Sequence, residues 1–402
     1  MRELMLLAET AGVSAVGVVT QVRRKPHQGT YVGKGKLEEL RAEVLRHGAD
    51  LVIFNNELSP TQQRNLVNVL ECKILDRTEI ILDIFGSHAH TREGKLQVEL
   101  ARLSYELPRL TGRGKMMSRI GGGSGGSAGG AGTRGPGEPQ LATDRRHVER
   151  HLRLLRAELA EIATRRNTER AARRKAGVPV IALVGYTNAG KSTLLNALAG
   201  SEEASVNDRL FETLDPTVRR VRMADNFAVL LSDTVGFIQD LPHSLVAAFR
   251  ATLEEVTQAD LLIHVVDAAD RYAEAQFEAV IKVLAEIGAD KIPAVVALNK
   301  WDVAEDDPEA HHLLVSLPEA LPISALTGYN LEELKMAVTE ALSKRLTPAT
   351  MHLPYSKLDV LQSVRARGHV LNEDYRPDYV FVEAELDEEM LGRLKPYITA
   401  EE

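Results

Sequence analysis

The chain has 402 residues, too long for one compact core and typical of two or three domains of about 150 residues each. Hydrophobic residues make up 44% and charged residues 26%, a composition that excludes wholesale disorder and fibrous repeats. One cysteine, Cys72, excludes an intramolecular disulfide and indicates a reducing, cytoplasmic compartment. We expect no membrane span and a monomer.

The net charge of −8 argues against a general nucleic-acid coat protein, but this average hides two opposite regions. The segment from Arg109 to Lys175 contains 16 basic and 6 acidic residues, a net charge of +10, and the rest of the chain carries −18. This division suggests that one basic segment faces an acidic partner while the remainder avoids it.

Residues 1–90 predict a small α/β domain, because apolar β-rich runs alternate with helix-like ones. We expect strands at Val13–Val22, Leu51–Phe54 and Lys73–Leu75. We expect helices at Leu37–His47 and Pro60–Leu70. Ser59 is suited to cap the second helix, with Pro60 in its first turn. The run Val32-Gly-Lys-Gly-Lys36 matches no nucleotide motif in its spacing, and we interpret it as a strand-to-helix turn with exposed lysines.

Residues 91–177 predict a helical hairpin with a glycine-rich loop at its tip, residues 120–137. Leucines at heptad spacing run from Leu96 to Leu110 before the loop, and apolar residues repeat in the same way from Val148 to Ile162 after it. Pro108 should end or kink the first helix. A spacer between domains and a functional probe both fit this pattern, and the arginine-rich charge favours a probe for phosphate backbones.

Residues 178–346 carry a phosphate-loop motif between a strand and a helix. The apolar run Val180–Val184 is followed by Gly185-Tyr-Thr-Asn-Ala-Gly-Lys-Ser192 and then by an apolar helix. The glycines let successive backbone N–H groups face a β-phosphate. Lys191 would contact the β- and γ-phosphates, and Ser192 would ligate Mg²⁺.

Two later motifs follow apolar strands in the order that a nucleotide-binding sheet requires. After Ala228–Leu231 comes Asp233-Thr-Val-Gly236, where the aspartate can hold the metal through water and the glycine can donate to the γ-phosphate. After Ala294–Leu298 comes Asn299-Lys-Trp-Asp302, where the Asp302 carboxylate accepts two N–H groups that guanine has and adenine lacks. Selection of guanine over adenine argues against the alternative of an ATP-dependent phosphotransferase.

Several neighbouring residues complete the predicted site. Asn299 should brace the loop, the Lys300 stem should cover the base, and a strand spanning Leu321–Leu326 should offer a backbone N–H to the guanine oxygen. Thr213 is our preferred second hydroxyl ligand of Mg²⁺, and Thr217 stays an alternative. The predicted nucleotide-binding residues are Gly185, Tyr186, Thr187, Asn188, Ala189, Gly190, Lys191, Ser192, Phe211, Glu212, Thr213, Leu214, Asp215, Asp233, Thr234, Val235, Gly236, Asn299, Lys300, Trp301, Asp302, Ser324, Ala325 and Leu326.

These motifs resemble those of the HflX family of translational GTPases. The resemblance extends to Asp76-Arg-Thr-Glu-Ile-Ile-Leu-Asp-Ile-Phe, to Glu93-Gly-Lys-Leu-Gln-Val-Glu-Leu-Ala and to Arg134-Gly-Pro-Gly-Glu-Pro-Gln-Leu-Ala, and it covers about Gly12 to Leu346. It implies a multidomain α/β protein whose GTPase domain has a doubly wound, mainly parallel sheet. It also implies binding to the large ribosomal subunit, with the hairpin directed at ribosomal RNA, and the separation or rescue of stalled ribosomes.

Catalysis is predicted to depend on Lys191, Thr213, Gly236 and Asn188. Phe237 occupies the position where many regulatory GTPases place a water-orienting glutamine, so we expect slow intrinsic hydrolysis that ribosomes stimulate. Asn188 either holds K⁺ beside the phosphates or serves only as a turn residue.

The rival hypothesis is a nucleotide-gated adaptor for another RNA or for a membrane-associated partner. The acidic tail, residues 347–402, predicts only a small α+β domain.

Overall fold

The computed structural model describes residues 2–112, 137–176, 178–200, 217–224, 227–238, 255–344, 346–386 and 388–399. The described residues divide into two compact units, one formed by residues 2–162 and the other by the described residues from Ala163 onward. The expected domain boundaries, after residues 90, 177 and 346, stay predictions. Within the described ranges, no helix is both long and apolar enough to cross a bilayer.

The first unit contains a two-stranded parallel sheet, formed by β1 (Leu51–Phe54) and β2 (Lys73–Asp76), with helices around it. These helices are α1 (Arg2–Thr10), α2 (Lys34–His47), α3 (Pro60–Leu70), α4 (Arg77–His88) and α5 (Arg92–Glu106). Ser59 caps α3 as predicted, because its side chain accepts a hydrogen bond from the Gln62 backbone N–H. Both predicted short strands and both predicted helices are therefore confirmed.

The prediction of a strand at Val13–Val22 is wrong. The segment is irregular, and it lies along a cavity of about 590 Å³ that α1, α2 and β1 also line. Val16, Val18 and Val22 are exposed there. β-branched residues favour strands by packing on a pleated, half-buried surface, and this segment pairs with neither strand of the sheet.

The predicted pair of helices forms an antiparallel hairpin. Helix α6 runs from Gly137 to Ala176, beginning at the last residue of the predicted glycine-rich loop; residues 113–136 of the chain lie outside the described ranges. Arg92 Nη2 lies 3.0 Å from Glu158 Oε2, and His151 Nε2 lies 3.4 Å from Glu99 Oε1. From Arg92 to Glu99 the chain of α5 advances by seven residues, while the partner on α6 moves back by seven residues, from Glu158 to His151. The two helices therefore run antiparallel. Helix α5 ends at Glu106, two residues before Pro108, and a 3₁₀ helix continues it over Leu107–Gly112.

The buried faces of the two helices agree only partly with the predicted seams. On α6, Leu152 and Leu155 are buried as expected. On α5, Val98, Ala101 and Tyr105 form the buried face, and the predicted leucines are half-buried beside it. Helix α5 packs against α4 as well as facing α6, so its apolar surface is wider than one heptad seam.

A buried carboxylate joins the base of the hairpin to the α/β core. Asp76 is fully buried and caps α4 by accepting from the Glu79 N–H at 3.0 Å. It also accepts from the Leu58 N–H at 3.0 Å, from the Tyr105 hydroxyl and from Arg109 Nη2 at 3.4 Å. The Arg109 guanidinium stacks on the Tyr105 ring, 3.3 Å from its centroid. Burial, with Asp76 beside it, raises the pKa of Tyr105, so the phenol stays a proton donor to Asp76.

The second unit contains a six-stranded sheet in the order β4-β5-β3-β6-β7-β8, in which only β4 is antiparallel to its neighbour. Its strands are β3 (Val180–Gly185), β4 (Thr217–Arg222), β5 (Ala228–Asp233), β6 (Leu261–Asp267), β7 (Ala294–Asn299) and β8 (Leu321–Pro322). The chain starts at β3 in the middle and winds both ways, which confirms the doubly wound, mainly parallel sheet. The expected strand Leu321–Leu326 is only two residues long, because the chain turns after Ile323, where the Ser324 N–H donates to Tyr329 O at 3.1 Å instead of to β7.

Helices cover the sheet on both faces, and their apolar sides complete its core. They are α7 (Lys191–Ala199), α8 (Ala273–Glu286), α9 (Trp301–Ala304), α10 (Pro308–Ser316) and α11 (Leu331–Ser343). One buried cluster includes Ile181, Leu194 and Val338, and a second includes Leu298, Trp301 and Leu313. The parallel strands are buried on both faces, as is typical of such sheets.

The chain after residue 346 forms a small α+β structure, as predicted. Its elements are β9 (Thr347–Pro354), α12 (Leu358–Arg367), β10 (His369–Tyr375), β11 (Tyr379–Leu386) and α13 (Glu388–Leu394). The antiparallel sheet has the order β10-β11-β9, and α12 and α13 supply helical residues to a core with Met351, Val380 and Val382.

Candidate guanine-nucleotide site

The loop between β3 and α7 depends on residues with unusual backbone conformations. Gly185 has φ 154° and Gly190 has φ 91°, and a Cβ would collide with the Val265 carbonyl oxygen at the first position and with the Asn299 amide at the second. Asn188 adopts the left-handed conformation, φ 63°, which asparagine tolerates better than most residues. The loop ends at the first turn of α7, where backbone N–H groups attract anions.

Lys191 is buried at the start of α7 and points back across the loop. Its Nζ donates to the carbonyl oxygens of Tyr186 at 2.8 Å and Gly185 at 3.2 Å. Burial lowers the pKa of Lys191 to about 8, and the nearby Asp233 opposes that change. An anion at this loop would restore the full charge of the ammonium group.

Ser192 and Asp233 form an oxygen pair beside Lys191. The Ser192 hydroxyl donates to Asp233 Oδ2 at 2.7 Å, and Asp233 is 1% exposed at the end of β5. A hydroxyl with a carboxylate is the hard-oxygen donor set that Mg²⁺ prefers in nucleotide sites. The residues present therefore fit the predicted metal.

The segment after Asp233 lies against the phosphate loop. Thr234 donates to the Leu183 carbonyl at 2.6 Å, and Val235 is buried. Phe237 N–H donates to Gly185 O at 3.1 Å, and Phe237 O accepts from Thr187 N–H at 2.8 Å. These two bonds extend the sheet hydrogen bonding from the strands into the phosphate loop.

Two positions in this segment have tightly defined surroundings. A Cβ at Gly236 would lie 2.8 Å from Thr187 Cγ2 and 3.0 Å from Lys191 Nζ, so a side chain does not fit there. Phe237 is 2% exposed and offers neither donor nor acceptor, so its side chain cannot orient a water molecule.

Asn299 connects the phosphate loop with the loop after β8, as predicted. Its Nδ2 donates to Ala189 O at 2.8 Å, and its Oδ1 accepts from Ala325 N–H at 2.9 Å. Its side chain is buried at the carboxyl end of β7, where ligands bind in doubly wound sheets.

The following residues form the predicted base-binding corner. Lys300 has φ 63°, and its Nζ donates to Asp267 Oδ2 at 2.7 Å. Asp302 is exposed in the first turn of α9. Trp301 is buried instead, packed edge-on against His311.

The loop after β8 presents its backbone to the same corner. Ser324 is buried and its Oγ accepts from Thr327 N–H at 3.1 Å, which turns the chain. Ala325 is buried against Asn299, and Leu326 is 80% exposed.

Asp267 is a residue that the sequence analysis missed. It ends β6, one strand from both predicted loops, and burial raises its pKa while Lys300 lowers it. Asp267 could have been predicted from the sequence. It is a polar residue that directly follows the mostly apolar run Leu261–Val266, and the same pattern identified Asp233 and Asn299.

His264 lies deeper in the same strand and was also missed. Burial, with a smaller effect from Lys191, lowers the pKa of His264 to about 3, so the imidazole is neutral. It is 1% exposed and stacks on Phe277 at 4.7 Å, so it forms part of the packed core beneath the site.

One group of predicted residues lies outside the described ranges, namely Phe211, Glu212, Thr213, Leu214 and Asp215. The alternative metal ligand, Thr217, is exposed at the start of β4, opposite Asp233 in the strand register. The choice between Thr213 and Thr217 stays a prediction.

Comparison with known proteins agrees with this geometry. Residues 1–86 match the family model "GTP-binding GTPase N-terminal", residues 88–173 match "GTP-binding GTPase Middle Region", and residues 180–300 match "50S ribosome-binding GTPase". GTPase HflX of Caldanaerobacter subterraneus subsp. tengcongensis is 44% identical over 99% of this chain and 90% of its own. GTPase HflX of Escherichia coli K12 is 45% identical over 88% of this chain and 82% of its own.

The chain belongs to the HflX GTPase family. A solved GTP-binding protein from the archaeon Sulfolobus solfataricus, in complex with GDP, is 27% identical, covering 85% of this chain and 95% of that one. The TM-score between the two structures is 0.44. Family membership and the phosphate-loop fold together establish that the protein binds and hydrolyses GTP, as the HflX motifs predicted.

The lowered pKa of Lys191 predicts that nucleotide binding takes up protons at alkaline pH. Phosphates favour the charged ammonium, so GDP binding should take up more protons at about pH 8.5, where Lys191 is largely neutral, than at about pH 7, where it is mostly charged. Calorimetric titrations of GDP in buffers of different ionisation enthalpy measure this number. Equal uptake at the two pH values would contradict the assignment of Lys191 as the phosphate ligand.

Proposed function

We propose that this GTPase binds the large ribosomal subunit in the cytoplasm, as a monomer, and splits or rescues stalled ribosomes, with GTP hydrolysis timing its release. The similarity of residues 180–300 to a family described as a 50S ribosome-binding GTPase supports this partner. The observation that carries the proposal is the distribution of arginines on α6.

The arginine stripe consists of Arg146, Arg150 and Arg153, which are exposed on α6. At about 100° per residue these three side chains share one face of the helix, nearly opposite the buried Leu152 and Leu155. The apolar side of α6 is thus buried inside the hairpin, and the guanidinium groups on its other side face solvent. Guanidinium groups suit phosphate oxygens, so the stripe favours an RNA backbone over a membrane surface, which would need a wide apolar face.

The base of the hairpin supports a probe rather than a loose spacer. Asp76 holds Tyr105 and Arg109, which lie at the end of α5 and in the 3₁₀ helix that follows it. Arg109 Nη2 also donates to Leu58 O at 2.8 Å. Ordered attachment reduces the entropy that the hairpin would lose on binding.

In the nucleotide domain we propose that Ser192 and Thr213, or Thr217 in its place, ligate Mg²⁺, and that Asp233 holds the ion through water. Bound Mg²⁺ neutralises charge on the β- and γ-phosphates. Lys191 binds the same phosphates, Gly236 donates its N–H to the γ-phosphate, and Asp302 reads guanine.

The segment that would sense the γ-phosphate is held to the phosphate loop by the two backbone bonds of Phe237. Pulling Gly236 toward a γ-phosphate would strain these bonds, which couples the nucleotide state to this segment. Because Phe237 cannot orient water, we propose slow intrinsic hydrolysis that the ribosome accelerates.

The base contact gives a direct test of nucleotide specificity. Asp302→Asn exchanges a double acceptor for a group with one donor and one acceptor, so GDP affinity should fall about 100-fold, and xanthosine diphosphate should bind better than GDP. Fluorescence competition with both nucleotides measures the ratio. Retained preference for GDP would contradict the role of Asp302; Asp306→Asn, in the exposed turn after α9, serves as the control.

The position of Asn188 in the phosphate loop allows a test of whether a monovalent cation binds there. We propose that its side-chain carbonyl holds K⁺ beside the phosphates, where the cation offsets developing negative charge. Turnover in KCl should exceed turnover in NaCl by about tenfold or more, and Asn188→Ser should remove the difference. Equal rates in the two salts would show that Asn188 serves only the turn.

Large ribosomal subunits should accelerate GTP turnover through the arginine stripe. In the triple variant Arg146→Gln, Arg150→Gln and Arg153→Gln, the subunit concentration giving half-maximal stimulation should rise about tenfold or more, because up to three phosphate contacts are lost. In the same variant, this half-maximal concentration should depend less strongly on the salt concentration.

The matched control removes three positive charges from exposed lysines elsewhere, in the triple variant Lys282→Gln, Lys291→Gln and Lys344→Gln. This variant should behave like the unaltered protein. Stimulation that neither triple variant changes would contradict the stripe as the contact, and unchanged turnover with saturating, intact subunits would favour the adaptor hypothesis.

A further inference from the structure

The hydroxyl group of Thr187 is buried without a hydrogen-bond partner. Thr187 is the third residue of the phosphate loop and is 6% exposed. Its Oγ1 is buried, and it makes no hydrogen bond to any of the residues that the structure describes. Burying a hydroxyl without a partner costs free energy. A buried polar group of this kind is expected where a function, and not stability, requires it.

Other hydroxyl groups of the site already have acceptors. The Ser192 hydroxyl donates to Asp233 Oδ2 at 2.7 Å, and the Thr234 hydroxyl donates to Leu183 O at 2.6 Å. The Thr187 hydroxyl differs from both, because its donor and its acceptor capacity are still available to a bound molecule.

Thr187 lies where the phosphate loop meets the segment after Asp233. Its backbone N–H donates to Phe237 O at 2.8 Å. Its Cγ2 lies 2.8 Å from the position that a Cβ on Gly236 would take, and Lys191 Nζ lies 3.0 Å from the same position. Thr187 and Lys191 therefore flank Gly236, whose N–H we propose as a donor to the γ-phosphate.

The segment after Asp233 has no side chain that can replace the water-orienting glutamine of other GTPases at the usual position. Phe237 stands there, 2% exposed and without a donor or an acceptor. An attacking water molecule still needs an oriented polar group near the γ-phosphate. Thr187 contacts the glycine that directly precedes Phe237, so its hydroxyl is close to the place where the glutamine is missing.

We propose that the Thr187 hydroxyl is a catalytic group that positions the attacking water in GTP hydrolysis. Its Oγ1 accepts a hydrogen bond from the water and donates one to an oxygen of the γ-phosphate, which satisfies both of its capacities. This inference rests on the proposed contact between Gly236 and the γ-phosphate, and it assigns a residue to the slow intrinsic hydrolysis proposed above.

The hydrolysis step leaves Thr187 unchanged. The water oxygen forms a bond to the γ-phosphorus, and the bond from the γ-phosphorus to the bridging oxygen breaks, leaving its electron pair on GDP. The water proton passes to an oxygen of the released phosphate. Thr187 keeps its own proton throughout, so it orients the water and does not act as a base. Orientation without a strong base agrees with a slow intrinsic rate.

The test compares two variants of the full chain in steady-state GTP turnover in KCl, without ribosomes. Thr187→Val removes the hydroxyl and keeps a branched side chain, so kcat should fall about tenfold or more. The KM and the affinities for GDP and for a non-hydrolysable GTP analogue should change by less than about twofold. Thr187→Ser keeps the hydroxyl, and its kcat should stay within about threefold of the unaltered protein.

Thermal unfolding separates this role from a structural one. Because the hydroxyl has no partner among the described residues, Thr187→Val should melt at the same temperature as the unaltered protein or higher. The matched control is Thr339→Val on α11, where the buried hydroxyl donates to Lys335 O at 2.9 Å. That control should melt at a lower temperature and keep its kcat.

Unchanged kcat in Thr187→Val would overturn the proposal. So would an equal loss of kcat in Thr187→Ser, which would assign the effect to the methyl group that contacts Gly236, and so would loss of GDP binding or a lower melting temperature in Thr187→Val. Because ribosomal subunits are absent from these measurements, a failure of ribosome binding does not alter them, and a failure here leaves ribosome binding unaffected.

Discussion

The nucleotide site depends on one buried amide. Asn299 is long enough to reach two loops and carries both a donor and an acceptor, so it can bond Ala189 O and Ala325 N–H at once. These bonds hold the phosphate loop at a fixed distance from the loop after β8, which is predicted to face the base. Gly190 must be a glycine for the same reason, since a side chain there would meet the Asn299 amide. The two loops predicted to recognise the phosphates and the base are therefore held by one side chain.

The distribution of charge supplies the second organising constraint. The segment with net charge +10 and the remainder with −18 have opposite preferences for RNA. On α6 the apolar residues face inward and Arg146, Arg150 and Arg153 face solvent, so the fold keeps the positive charge available. An acidic remainder would weaken binding of RNA in other orientations, which would give the proposed ribosomal complex a preferred direction of approach. The net charge of −8 describes neither part.

The sequence predicts features that depend on neighbours along the chain and misses features made by distant residues. The phosphate loop and the Asn299 to Asp302 motif follow from a strand, a turn and a helix start, so a doubly wound, mainly parallel sheet could be anticipated, whereas its strands β4 and β6 were not predicted. The Asp76, Tyr105 and Arg109 cluster joins residues about thirty positions apart and has no local signal. The error at Val13–Val22 has the opposite origin: strong local β-propensity there lacks a pairing partner.

The central claim is that the nucleotide state controls binding to the large ribosomal subunit. Co-sedimentation with purified subunits, with GDP, with a non-hydrolysable GTP analogue and without nucleotide, tests it most directly. The account predicts that the protein pellets with large subunits in the presence of the analogue and stays in the supernatant with GDP or without nucleotide. Equal pelleting in all three conditions, or pelleting with small subunits alone, would contradict it.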